Sequence, residues 1–489
     1  MITFVGVNNV SFQVASSNLE KLAGLKIPPK QIERLVKKIG RERVKKRKAK
    51  VAAHSHLPLN EKDENLNPNR PCPKVAMVSV DGGRIQIRKE SSESERHENP
   101  SPNEAPSKVE ARSRDDSPTP EPSASRDETP PRDGKTAGSS HWRETKVAVL
   151  ETYQSDVSTS DPDPHVPRCF LDLKRATELV RGMDHPIPIG MNNLDKSDQS
   201  FASVPISAGA DPNPPRPEIE GGIGVDDKSN ENAHDMKNTL RVVVGSNDRE
   251  CEPKRKGRDR KSRPGRPQRL VRSVLATRES VDEFGETVHQ AACERNFFGA
   301  EHKAFLGDGM PSNWKIHARH FPSFRPILDF VHALSYVFAA AFAGRSNEEG
   351  KAIYARWIEA VWGGRVTSIL PELERRSEEL GTPPKECIAG DPRRLVADAL
   401  RYLRNNADRM RYDEYRREGL PIVSCAVESA IKMINQRVKG SEKFWSSEGA
   451  EAILQLRADF LSETEVMDQF WEEREREATG TRPYETRVA

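Results

Sequence analysis

Residues 75–88 read Val75-Ala-Met-Val-Ser-Val80-Asp81-Gly82-Gly83-Arg84-Ile85-Gln86-Ile87-Arg88. A short β-rich run ends on an aspartate, and the Gly-Gly pair after it is a turn signal. Ile85 to Arg88 then alternates apolar and polar, as a half-exposed strand does. The stretch predicts a β-hairpin with Asp81 at its corner. Asp81 has two readings: a corner residue, or a carboxylate projecting over a sheet edge, where strand termini build sites.

Working outward, Lys146 to Leu150 (KVAVL) predicts a third strand and Ser280 to Asn296 a helix. Ala304-Phe305-Leu306 leads into Gly307-Asp308-Gly309, and Arg325 to Phe330, which contains Asp329, is another strand candidate. From there to about Asp459 the chain reads as mostly helical, with turns near Gly363-Gly364, Pro383-Pro384 and Gly419-Leu420-Pro421. Three strands, a helix, two strands and then helices predict an α/β fold, by analogy a ribonuclease-H-like mixed sheet. Glu428 lies in a helix starting near Ser424. Taken singly, Asp308 can be a turn residue and Glu428 a plain helix-face carboxylate. Brought together, such acids are hard oxygen ligands suited to Mg²⁺. Paired divalent ions roughly 3.5–4 Å apart activate a water or a 3′-hydroxyl in phosphoryl transfer.

The flanks are less regular. Residues 17–44 predict two short helices broken at Pro28-Pro29, with apolar Leu19, Leu22, Leu25 and Ile32, Leu35, Val36, Ile39 at helical spacing. That is either a helix-turn-helix, whose second member enters a DNA groove, or a plain helical hairpin. A basic run, Lys45 to Lys50, follows. Residues 89–140 carry almost no apolar side chains and read as a disordered insert. Residues 155–279 read mostly as linker, with minor order at Arg168 to Val180 and Leu240 to Val244. Lys254 to Arg272 holds ten Lys/Arg against Asp259, a net +9. Its PGRPQR core, with Arg263 and Arg266, resembles an AT-hook-like minor-groove arm in which Pro264 replaces an Arg. The other reading is a solvated linker.

Over all 489 residues the net charge is +3, which excludes a uniformly basic nucleic-acid coat and a uniformly acidic tail. Charged residues at 31% and 36 prolines leave core-forming composition for only part of the chain. The most apolar run, Ile327 to Gly344, is interrupted by Asp329, His332 and Ser335, and is too short to span a membrane. Met1 to Ala15 lacks the basic start of a signal peptide. Cysteines 72, 169, 251, 293, 387 and 425 lie far apart without CxxC, which predicts reduced thiols, no disulfide framework and no structural zinc site. A soluble, cytoplasmic protein is expected.

Five strings decide between the readings: VSVDGGRIQIR, HWRETKVAVL, AFLGDGMPSNWKI, FPSFRPILDFVHALSYV and RMRYDEYRREGLPIVSCAVESAIKMINQRVKGSEKFWSSEGAEAILQLRADF, in that order. Spread over about 71–88, 141–153 and 280–460, they resemble the DDE transposases of bacterial insertion sequences, most closely the ISKra-type group. The resemblance implies catalytic acids at Asp81, Asp308 and Glu428, holding two Mg²⁺ ions, or Mn²⁺, on a ribonuclease-H-like fold. It makes Asp329 and His332 an accessory DxxH element, and Lys432, Arg437 and Lys439 phosphate contacts. Trp357 and Trp362 read as core side chains.

The domain plan that follows runs from an N-terminal DNA-binding segment (1–50), shorter than the family's, through core strands (71–88, 141–154). It continues with the second core part (280–342), a helical insertion domain (343–418), the catalytic helix and core end (419–460) and a tail (461–489). Implied partners are transposon-end and target DNA, engaged by a homo-oligomer at the bacterial nucleoid. The implied activity is metal-dependent strand cleavage and transfer; the alternative is an inactive relic that only binds DNA. Val423 and Cys425 stand where relatives carry glycine, which predicts a strained loop before Glu428 if positive φ is needed there.

Overall fold

The computed structural model describes residues 1–58, 70–88, 142–183, 185–188, 266–440 and 443–479. The expected insert at 89–140, Leu240 to Val244, Arg263 and residues 480–489 lie outside them. The fold is mixed α/β around one five-stranded sheet. Its strands are β1 (Val75–Gln86), β2 (Trp142–Gln154), β3 (Gln268–Thr277), β4 (His302–Gly307) and β5 (Arg325–Leu328), in spatial order β3-β2-β1-β4-β5. The β1–β2 and β2–β3 pairs are antiparallel, whereas β1–β4 and β4–β5 are parallel.

The hairpin expected at Gly82-Gly83 is corrected by this register. Strand β1 runs straight through both glycines, with Gly82 opposite Lys146 and Gly83 opposite Thr145. A full-length partner strand outcompetes a local turn, because every residue of β1, both glycines included, has a partner on β2. Gly83 marks a close approach: a Cβ there would meet Thr145 Oγ1 at 3.1 Å.

Strand β3 is the second correction, since it lies in the stretch read as linker and basic arm. Val274 and Ala276 are buried, while Arg269 reaches Glu463 at 2.7 Å and Arg272 donates its backbone N–H to the same carboxylate at 3.0 Å. The end of the basic run is therefore a neutralised edge strand. Two helices, α4 (Arg168–Leu171) and α5 (Leu173–Gly182), also occupy that stretch, and α5 buries Ala176 and Val180 in the core.

Both faces of the sheet are covered. Ala76, Val78, Val80 and Phe305 share a core with Phe284 and Val288 of α6 (Val281–Glu294) and Ile316 of α7 (Pro311–His320). On the opposite face, Val75, Met77, Ala304 and Leu306 share one core with α8 (Phe330–Phe342), α9 (Asn347–Trp362) and α11 (Pro392–Asn406). The helix α10 (Leu370–Leu380) joins that core through Leu373, and α12 (Tyr412–Arg417) through Tyr412 and Tyr415. Val147, Val149, Val274 and Ala276 meet α13 (Cys425–Val438) and α14 (Ser447–Leu461). A last helix, α15 (Val466–Thr479), adds Met467 and Phe470 to that cluster. Trp357 and Trp362 are core side chains, each donating its indole N–H, to Glu372 at 2.9 Å and to the Asp163 carbonyl at 2.8 Å.

A first helix, α1 (Ile2–Asn8), precedes the two expected over 17–44, which are α2 (Phe12–Ala23) and α3 (Pro29–Ser55). One stripe of α3, Ile32, Val36, Ile39, Gly40, Arg43 and Arg47, is buried. Gly40 lets the helix approach Ala452 so closely that a Cβ would meet its carbonyl oxygen at 2.5 Å. Arg43 clasps Asp459 through two bonds of 2.9 and 3.1 Å, and Arg47 reaches Gln455 and Glu451. The longest N-terminal helix, α3, is docked on α14. Among the described residues, cysteines 72, 169, 293, 387 and 425 are in no disulfide. No helix among the described residues is long and apolar enough to cross a membrane.

Candidate active site

The parallel ladder of β1 and β4 ends at the pair Val80 and Gly307, so the next residue on each chain is an aspartate, Asp81 and Asp308. Alternation from Val75 and Met77, and from Ala304 and Leu306, puts both on the sheet face covered by α8. Burial and then the charge of Asp308 push the Asp81 carboxyl up to about 7, against a 2.6 Å bond from the Gly82 N–H. Asp308 opens the turn after β4: its Oδ1 accepts from the Met310 N–H at 2.9 Å and from Asn313 Nδ2 at 2.7 Å. Gly309 has φ +94°, and the Tyr402 ring lies where a Cβ would sit, 2.6 Å away. Tyr402 also donates its hydroxyl to the Asp308 carbonyl at 2.6 Å, which fixes this turn from the helical layer.

Asp329 does not extend β5; it is the N-cap of α8. Its Oδ1 accepts from the N–H groups of Val331 at 2.6 Å and His332 at 3.2 Å, and its Oδ2 from the N–H of Ser424 at 2.6 Å. Burial opposes its ionisation, but His332 and these donors outweigh burial and hold the carboxyl below the usual range. His332 Nδ1 lies 3.7 Å from Asp329 Oδ1. Burial lowers the imidazole's pKa, yet Asp329, Asp308 and Asp81 together raise it to about 9. The three acids around His332 thus favour its imidazolium form.

Glu428 sits in the first turn of α13, its carboxyl raised by burial and by Asp329 and steadied by Lys432 at 3.6 Å. Its charged neighbours are Asp329, Lys432 and His332, and those of Asp81 are Asp308, His332 and Asp329. Among the described residues, the group of three or more potential ligands with donor atoms in mutual reach is His54, His289 and Cys293, not the three acids. Asp81 and Asp308 adjoin, while Glu428 shares with them the charges of Asp329 and His332.

Comparison with family models, curated proteins and solved structures returns no match.

The site must accordingly be read from its own chemistry. Asp81 and Asp308 offer only oxygen donors, half-buried and mutually repelling, and this fits a hard divalent cation. Glu428 in this arrangement does not complete that pair.

Of the residues expected to contact phosphate, Arg437 is a correction. It is buried, donates to the Gly6 carbonyl at 3.3 Å, and stacks over Phe12 and Trp445 at 4.3 and 5.2 Å. Apolar Phe12 of α2 reaches across and claims it. Lys432 and Lys439 remain exposed, and Arg266 is an exposed residue 3.4 Å from Asp163. The strain expected at Val423 and Cys425 is absent: neither residue has positive φ. What the sequence reading missed altogether is the His54, His289 and Cys293 group, announced locally only by His289 and Cys293 four apart on a helix.

Proposed function

We propose that this chain is a DDE transposase: a Mg²⁺-dependent polynucleotidyl transferase that cleaves and joins DNA strands at the ends of an insertion sequence. The observation that carries the reading is the pair Asp81 and Asp308, set side by side where two parallel strands part. The helix bearing Glu428 is tied to the same place by the Ser424 to Asp329 bond. The order of strands and helices agrees with a ribonuclease-H-like core, which supports the same reading.

In this proposal Asp81 and Asp308 hold the divalent ion, with Mn²⁺ as a substitute, and Glu428 joins them when DNA is bound. The ion would supply Lewis-acid polarisation of the scissile phosphate and an activated nucleophile. His332 holds its proton beside the acids and lowers their mutual repulsion. Exposed Lys432 and Lys439 face the DNA backbone, the partners being transposon-end and target DNA, bridged by a homo-oligomer in the nucleoid.

A plasmid carrying the coding region with its native flanks, incubated with purified chain and Mg²⁺, tests this. Wild type nicks at the flanks, and Asp308→Asn does not, while still retarding flank DNA on a gel. Equal cleavage by both would exclude the assignment. The pairing of Glu428 with Lys432 favours one second reading, a silent DNA-binding relic. It predicts retardation without cleavage in both proteins.

A further inference from the structure

His54 lies in the last turn of α3, and His289 and Cys293 share one face of α6 at the i, i+4 spacing. His54 Nε2 is 2.9 Å from His289 Nδ1, and Cys293 Sγ is 3.9 Å from the same nitrogen. One donor atom from each residue lies within 4.8 Å of the other two, with His289 buried and its neighbours half-buried. None of the three has a part in the reaction proposed above.

We propose that His54, His289 and Cys293 form a zinc site that fastens the N-terminal helices to the catalytic core. Two imidazole nitrogens and a thiolate are the borderline-soft set that Zn²⁺ takes and that Mg²⁺ declines. Tetrahedral Zn–N and Zn–S bonds of about 2.0 and 2.3 Å place donors roughly 3.3–3.6 Å apart. Two of the contacts straddle that span and the third lies within 4.8 Å, so admitting the ion draws the donors together by up to about 1 Å. Binding releases the Cys293 thiol proton to solvent and leaves both imidazoles neutral. Water takes the fourth position. Phe298 and Phe321 pack on the His289 ring at 5.0 and 5.9 Å and limit its rotation. The crossing of α3 and α6 is already pinned by Ser55 to Glu286 at 3.3 Å and Lys50 to Glu294 at 3.2 Å. A metal placed there would add a strong link between residues 235 positions apart in the chain.

Titrating the metal-stripped full chain with Co²⁺ tests the site. The expected result is one equivalent that carries tetrahedral ligand-field bands and a thiolate-to-cobalt charge-transfer band, both removed by Zn²⁺. Cys293→Ser should lose the charge-transfer band and bind more than tenfold more weakly, while Asp308→Asn keeps the full spectrum. If Cys293→Ser misfolds, the thermal midpoint of the wild type is read against Zn²⁺: it should rise, and the rise should vanish in His54→Ala. No stoichiometric uptake by the wild type would overturn the proposal and leave the 2.9 Å contact as a simple imidazole hydrogen bond. A charge-transfer band persisting in Cys293→Ser would overturn it equally.

Discussion

The backbone N–H of Ser424 donates to Oδ2 of Asp329 at 2.6 Å, across 95 residues of chain. This one carboxylate caps α8 with its other oxygen and so fixes where α13, with Glu428, starts. Asp329 is therefore a positioning residue for Glu428, the acid on α13.

Asp329→Ala removes the acceptor for three backbone donors. A lost cap costs about 1 kcal/mol and each orphaned buried donor about 1–3 kcal/mol. We expect roughly 3 kcal/mol or more of destabilisation in urea unfolding at neutral pH. Asp329→Asn, which keeps one acceptor oxygen, should lose about half as much.

The pH dependence follows from the same pair. His332, facing Asp329, Asp308 and Asp81, has a folded-state pKa of about 9, above its ordinary value. Its contribution is complete below about pH 6.5 and is lost as pH rises through about 9. Asp329 is held below its ordinary value, so its contribution is present above about pH 4 and is lost as pH falls further. Stability measured in EDTA should decline between pH 7 and 10, and His332→Gln should flatten that decline. An unchanged slope in the variant would refute the coupling.

Gly40→Ala should destabilise although alanine is the better helix former by about 1 kcal/mol. Its Cβ would meet the Ala452 carbonyl at 2.5 Å and the Ala452 Cβ at 2.7 Å, both on a packed helix. Overpacking of this kind costs about 1–3 kcal/mol. A melting temperature equal to or above wild type would show that α3 and α14 are not held so close.

Arg43→Ala should cost about 3–5 kcal/mol, because it strands the Asp459 carboxylate in a buried position. Replacing both, Arg43→Met with Asp459→Leu, should recover most of that loss. Chemical denaturation of the single and double variants distinguishes a stranded charge from lost packing.

The sequence made the sheet legible wherever apolar runs were short and bounded, as at Val75 to Val80, Lys146 to Leu150 and Ala304 to Leu306. It misled where long-range pairing overruled a local signal. Gly82-Gly83 looks like a turn, but the partner of β1 arrives more than fifty positions later and spans both glycines. Arg269 and Arg272 look like a basic arm because Glu463, which neutralises them, is far along the chain. Arg437 looks like a phosphate contact for the same reason: Phe12 and the Gly6 carbonyl, which hold it, lie more than 400 positions away. Asp81 and Asp308 were recognisable from the glycines beside them. The His54, His289 and Cys293 group was not, since ligand spacing between α3 and α6 exists only in space.

The most direct test of the central claim is Mn²⁺ binding to the full chain, followed by electron paramagnetic resonance after zinc has filled the histidine–cysteine cluster. The account predicts Mn²⁺ bound by the wild type, little or none by Asp81→Asn or Asp308→Asn, and tightened binding by flank DNA that Glu428→Gln abolishes. Undiminished Mn²⁺ binding in Asp81→Asn and Asp308→Asn would contradict it.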